Sequence, residues 1–323
     1  MIVYMGIDEA GYGPLLGPLC VATSVFHMEE ATEPQDLWEL LSSAICRSPK
    51  DSKGRVAIED SKRLKGSNQL TTRHPLTWLE RGVLAALSSM DGQELPGSDS
   101  ILLERLGATP PSECPWWAGE AALPLANDSG LLGIAASRLA RTQRERALRL
   151  HRLRCMAIDA PELNRRMGPG ASKAAVNSWA AMTLLDQALR DAPNSTVHAF
   201  LDRHGGRIHY REELSFCFPD AAIRVLEESE ATSRYELRWG ARTAHVAWQV
   251  GGETHHLPVA LASMTAKLVR ELWMARLNRH VARVLPEVKP TAGYVEDGRR
   301  WLAEVEPHLG RLGVSREQLV RQA

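Results

Sequence analysis

The chain has 323 residues, 44% hydrophobic and 24% charged, which suits a globular protein with room for one large domain or two modest ones. Lys plus Arg and Asp plus Glu both number 39, so bulk charge gives no pull toward a polyanion and any basic surface must be local. Five scattered cysteines with no CxxC exclude a disulfide framework and fit reduced thiols in a cytoplasm.

Residues 2–7 and 19–27 read as strands. The link between them is interrupted by Pro14 and Pro18 and is too short for a crossover helix, which predicts an antiparallel hairpin. The first apolar run is too short for a signal peptide and ends in adjacent carboxylates, Asp8 and Glu9, before Gly11, Gly13 and Gly17. Residues 34–46 carry Leu37, Leu40, Leu41 and Ile45 on one face, with Thr32 as an N-cap, and predict a helix. A second helix is predicted over 75–90. Residues 91–130, with Pro96, Pro110, Pro111, Pro115 and Pro124, read as an irregular insertion or linker, with Trp116 and Trp117 capping a local core. The arginine-rich stretch 137–154 predicts a basic helix, either a solvated face or a phosphate-contacting patch.

Further helices are expected over 172–191, capped by Ser172, and over 260–285. Strands are expected at 196–202, ending in Asp202, and at 222–227, with a hairpin formed by 234–239 and 244–250. Ser315 and Gln318 open a last short helix with a capping box. His255 and His256 are adjacent, and on a strand would face opposite ways, so they read as surface residues and not a zinc pair. No run is long and apolar enough to span a bilayer. The pattern fits an α/β fold with a mixed sheet flanked by helices.

The glycine turn after Asp8 and Glu9 allows two readings. A dinucleotide site is disfavoured, because the spacing is GxGxxxG, Pro14 removes an amide and no helix follows. A metal site suits the carboxylates: they are hard oxygen donors for Mg²⁺ or Mn²⁺, and their mutual repulsion is relieved by a shared cation. Asp202 ends a second apolar strand. On the 260–285 helix, Ser263, Lys267 and Glu271 recur every four residues and share a face. The ordinary reading of Glu271 is an ion pair with Lys267.

Taken in order, "GIDEAGYGPLLGPL", "DSKRL" at 60–64, "PELN" at 161–164, "FLD" at 200–202, "ASMTAKLVRE" at 262–271 and "GY" at 293–294 resemble the motifs of the type 2 ribonuclease H family. Two site positions depart from that family. Tyr12 stands where Gly-Arg-Gly is usual, and Glu271 stands where the resemblance places an Asp. The chain also carries extra material at 91–150 and in the 234–250 hairpin. The resemblance therefore implies a divergent relative with a ribonuclease H-like catalytic domain over 1–285, an insertion at about 91–150 and a C-terminal helical extension over 286–323.

It implies cleavage of RNA in RNA–DNA hybrids, or of ribonucleotides in duplex DNA, to 5′-phosphate and 3′-hydroxyl products. Asp8, Glu9, Asp202 and Glu271 would hold two divalent ions, Mg²⁺ or Mn²⁺, roughly 4 Å apart. The backbone of Gly11, Tyr12 and Gly13 would read the 2′-hydroxyl. Ser61, Lys62, Lys267 and Arg270 would contact the substrate, and Tyr294 would pack on a sugar. A cytoplasmic monomer with neither membrane attachment nor organic cofactor is expected. Two rivals are a nucleic-acid-binding protein on the same fold with little or no cleavage, and a structure-specific DNA nuclease.

Overall fold

The computed structural model describes residues 1–29, 34–68, 72–90, 93–109, 114–168, 172–203 and 205–322. Its strands are β1 (Ile2–Ala10), β2 (Leu19–Met28), β3 (Ile45–Cys46), β4 (Val56–Ala57), β5 (Leu148–Ile158), β6 (Thr196–Asp202), β7 (Ala222–Glu228), β8 (Thr232–Trp239) and β9 (Arg242–Gln249). Seven of them form one mixed sheet in the order β5-β2-β1-β6-β9-β8-β7. β1 pairs antiparallel with β2 and parallel with β6, and β6 pairs parallel with β9. A central strand is covered on both faces, and almost every residue of β1 is buried.

Helices α1 (Leu37–Leu40) and α2 (Ser61–Leu64) are single turns after β2. α3 (Thr77–Ser88), α4 (Asp99–Leu106) and α5 (Ser129–Glu145) precede β5. α6 (Ala160–Arg166) and α7 (Lys173–Asp191) lead to β6, and α8 (Arg211–Cys217) leads to β7. α9 (Gly252–His255) and α10 (Leu257–Val284) follow β9. The chain then runs through α11 (Val295–Val305), α12 (Leu309–Leu312) and α13 (Arg316–Leu319).

Side chains of β1 alternate between two cores, as the strand period requires. Ile2 and Tyr4 join Leu79 and Val83 of α3, Leu132 and Leu139 of α5, and Leu261 and Leu268 of α10. Val3, Met5 and Ile7 join Leu184 and Leu185 of α7 and Leu214 of α8. The first half of α10 is buried all round, because it lies between the sheet and α3. Gly6 makes that contact possible: a Cβ there would fall 2.0 Å from the carbonyl carbon of Pro258.

The expected mixed sheet flanked by helices is present, as are the β1–β2 hairpin, the Ser172-capped helix and the Ser315 capping box. Five local expectations change. The 34–46 helix shrinks to α1, capped by Asp36; Thr32 lies outside the described residues. The chain turns after Leu41 so that Ile45 and Cys46 pair with β4, and the apolar spacing serves that buried turn equally well. Residues 99–106, inside the expected irregular stretch, form α4, capped by Ser98 and ended by Gly107 in the left-handed region; Pro110 and Pro111 are not among the described residues.

The basic segment is not one helix. α5 stops at Glu145, Ala147 adopts a positive φ of 47°, and β5 begins at Leu148. Leu148, Leu150, Leu153 and Cys155 pack inward from this edge strand, an alternation that the arginine density obscures. The 234–250 hairpin is part of the main sheet, since β9 joins β6 directly. His256 is not on a strand. It precedes α10 and stacks on Phe200 with ring centroids 3.7 Å apart, while His255 is exposed.

Candidate active site

Parallel pairing places the acids. Ile7 is opposite Leu201, so the next residues, Asp8 and Asp202, leave adjacent strands side by side at their C-terminal ends. One strand over, Asp202 is opposite Gln249, where β9 ends. Gly251 turns the chain with a φ of 66°, and the amide of Gly252 donates to Asp202 Oδ1 at 3.0 Å. That turn delivers Glu253 to the same cavity, of about 240 Å³, which Asp8, Glu9 and Asp202 also line.

Asp8 is buried. Its carboxyl is held well above the usual range by burial first and then by Glu9 and Asp202, against a hydrogen bond from Ser263. Glu253 is raised mainly by burial, with Asp202 and Asp60 adding to it. Its Oε2 is buried with no hydrogen-bond partner. Burial alone would lower the Lys62 ammonium, but Asp60, Glu253, Asp8 and Asp202 outweigh it and raise it. Excess negative charge therefore faces Lys62, Lys267 and the cavity, and carboxylates kept close together oppose one another's ionisation.

Among the described residues no three His, Cys, Asp or Glu side chains stand close enough together to enclose a metal ion. The chemistry of the donors nonetheless fits a hard divalent cation. All are carboxylates, neighbouring acids raise both Asp8 and Glu253, and one buried oxygen of Glu253 lacks a donor.

Gly11, Tyr12, Gly13 and Tyr294 line the same cavity. A Cβ on Gly13 would meet nothing within 4 Å, so the backbone there is open to a ligand, whereas one on Gly11 would fall 2.5 Å from Arg270 Nε. Ser61 starts α2 and has its hydroxyl 2.9 Å from that of Ser263, which anchors α2 to α10 at the cavity floor. Asp60 caps α2 by accepting from the amide of Lys62 at 2.9 Å.

Asp8, Glu9, Gly11, Tyr12, Gly13, Ser61, Lys62, Asp202, Lys267 and Tyr294 thus meet around one cavity. Two expected members stand apart. Glu271 accepts from Lys267 at 2.9 Å and lies 3.8 Å from Lys65, one turn too far along α10 to line the cavity. Arg270 is fully buried and donates to the carbonyls of Leu16 and Ala292, so its charge faces the protein interior. Sequence reasoning passed over Glu253. Its signal was "VGGE", an acid directly behind a glycine turn at the end of an alternating strand.

The fold and site define an α/β protein with an acid-lined cavity where three neighbouring parallel strands end. No family model matches the chain, and no curated protein matches it. Among solved structures, RNase HII of Archaeoglobus fulgidus, determined in its PCNA:RNase HII complex, aligns with 99% of this chain and 94% of its own at 16% identity and a TM-score of 0.42. Bst-RNase HIII in complex with Mn²⁺ aligns with 99% of this chain and 66% of its own at 15% identity and a TM-score of 0.41. The ribonuclease H2 of Pyrococcus horikoshii OT3 aligns with 98% and 92% at 15% identity and a TM-score of 0.38.

Proposed function

We propose that this protein is a metal-dependent endoribonuclease that hydrolyses a ribonucleotide-containing strand in an RNA–DNA hybrid or in duplex DNA. One observation carries the reading: Asp8, Glu9, Asp202 and Glu253 line a single cavity together with Gly11, Tyr12 and Gly13. In this assignment Glu253, and not Glu271, is the fourth acid.

The four carboxylates would hold Mg²⁺ or Mn²⁺, which supply charge for activating water and for stabilising the leaving 3′ oxygen. The residues do the rest. The in-register strand ends fix Asp8 against Asp202, and the Gly252 amide holds the Asp202 carboxylate in place. Lys62 presents its ammonium to a scissile phosphate, and Lys267 does so from α10. Amides of the Gly11–Gly13 turn offer donors to the ribose, which distinguishes RNA from DNA. Tyr12 is 39% exposed and Tyr294 51% exposed, and both rings are free to lie against sugars. Glu271 acts on the site only by holding Lys267.

The test is cleavage with Mg²⁺ or Mn²⁺ of three duplexes: a hybrid, DNA with one ribonucleotide, and plain DNA. Scission next to ribonucleotides, reduced at least about 10³-fold in Asp8→Asn, is the expected result. Folded protein that binds hybrid but cuts nothing would overturn it in favour of the binding protein, and cutting of plain DNA in favour of the DNA nuclease.

A further inference from the structure

The glycine turn facing the acids is held from behind by the far end of the chain. Arg321 is 1% exposed. Its Nη1 donates to the carbonyl of Gly11 at 2.5 Å and its Nη2 to that of Tyr12 at 3.1 Å. The backbone on either side is fixed. Leu16 and Val320 form an antiparallel bridge, and the Arg321 amide donates to the Leu15 carbonyl at 3.0 Å. Asn164 of α6 clasps both flanks, donating to the Val320 carbonyl at 2.9 Å and accepting from the Gln322 amide at 2.7 Å. Leu319 anchors the same segment in a cluster with Leu16, Trp301 and Leu312.

Burying a guanidinium is costly, and hydrogen bonds to its donors offset that cost only in part. Here the burial is severe: it lowers the Arg321 pKa to about 10, with Arg270 pushing the same way. Its Nε has no partner. Both Nη groups are spent on two consecutive backbone carbonyls, charge-assisted bonds that are strong and directional. Peptide geometry then fixes the consequence. In a trans peptide the N–H points opposite to the C=O. Carbonyls of Gly11 and Tyr12 turned toward Arg321 therefore turn the amides of Tyr12 and Gly13 the other way, toward the cavity that both residues line.

We propose that Arg321 is a positioning residue that aims the Tyr12 and Gly13 amides at the sugar–phosphate backbone of the substrate strand, with Asn164 setting Arg321. The proposal rests on the endoribonuclease reading for its substrate. It gives the 286–323 extension a part in the site and the "PELN" segment at 161–164 a purpose. No cation is available from the side chain of the turn, where Tyr12 stands, so its geometry depends on a cation supplied from the far end of the chain.

The test compares wild type with Arg321→Ala, Arg321→Lys and Asn164→Ala, with Arg316→Gln as a control on the exposed face of the same segment. Steady-state kinetics on a duplex with one ribonucleotide should show KM raised about tenfold in Arg321→Ala, with kcat changed less than about threefold. Arg321→Lys should lie between, because one ammonium cannot hold two carbonyls in a fork. Tens of millimolar guanidinium, but not equal KCl, should restore KM in Arg321→Ala. Hydrogen exchange at the Tyr12 and Gly13 amides should accelerate without substrate. Unchanged KM and exchange in folded Arg321→Ala would overturn the proposal. If that variant does not fold, Arg321→Lys and Asn164→Ala are read the same way. If wild type cuts nothing, the endoribonuclease reading fails, while exchange at the two amides still reports on Arg321.

Discussion

Glu253 and Glu271 stand on either side of the same stretch of chain, the corner before α10 and the middle of α10, yet their surroundings are opposite. Glu271 sits between two lysines, at 2.9 Å from Lys267 and 3.8 Å from Lys65. Glu253 sits among acids, its pKa raised by burial, Asp202 and Asp60, with one oxygen lacking a donor. A carboxylate already neutralised by lysines has little to offer a cation. One held near other carboxylates, with Lys62 offsetting only part of their repulsion, is destabilising until a further cation arrives. The same residue type thus serves as a strut in one place and as a candidate ligand in the other.

The largest expected effect separates these two glutamates. Glu253→Gln should lower kcat at least about 100-fold, with thermal stability unchanged or raised, because a buried repulsion is removed. Glu271→Gln should cost about 1 kcal/mol of stability, as expected for a part-buried ion pair, and reduce kcat less than about tenfold through a loosened Lys267. Denaturant melts and initial rates on both variants decide it. Reversed ranks would return Glu271 to the acid set and break the comparison.

A smaller effect is expected across the cavity, where the turn lacks a cation. Tyr12→Arg should tighten binding of a ribonucleotide-containing duplex about threefold to tenfold at low salt and steepen its salt dependence by about one phosphate contact. Fluorescence titration at several salt concentrations reads both. An unchanged slope would mean that an added charge at position 12 does not reach the strand.

These contrasts also mark what was legible in the sequence. Asp8, Glu9 and Asp202 could be read because each ends an apolar run, and strand ends are where a parallel sheet gathers side chains. The glycine turn could be read from its spacing. Glu253 was missed because it lies 51 residues after Asp202 in sequence and reaches it only across the neighbouring strand, a relation that the β6–β9 pairing creates. Glu271 was grouped with the acids because the 262–271 segment resembled a family motif, and helical spacing showed its face without showing Lys65. Arg270 and Arg321 look like surface cations in any one-dimensional reading. Only the folded backbone shows Arg270 Nη2 on the carbonyls of Leu16 and Ala292, and both Nη groups of Arg321 on those of Gly11 and Tyr12. Likewise Arg152, part of the apparent basic helix, is on an edge strand and ion-paired with Asp191.

The smallest effect extends the comparison along β6 itself. Asp202 closes that strand in a cavity proposed to take a cation, whereas His198, four residues earlier, is an ionisable group inside the strand. It faces Tyr4 of β1, with ring centroids 6.2 Å apart, and His245 of β9, at 4.9 Å. Burial, with His245 adding to it, lowers its pKa to about 4. The folded state therefore keeps His198 neutral, while the unfolded chain protonates near 6.5. Above that pH neither state binds the proton and the group does not affect stability. As pH falls from 6.5 toward 4, only the unfolded state gains it, so stability drops, by at most about 1.4 kcal/mol per pH unit for each such proton. His27 and His256, also lowered to about 4 by burial, and His151, lowered the same way, add to the same acid-side slope. His198→Gln should remove about one such proton from that slope and leave the melting temperature at pH 8 little changed. Melting curves from pH 8 to pH 4 measure it. An unaltered slope would mean that His198 takes up its proton in the folded sheet, and that the strand's interior tolerates charge as well as its acid-bearing end does.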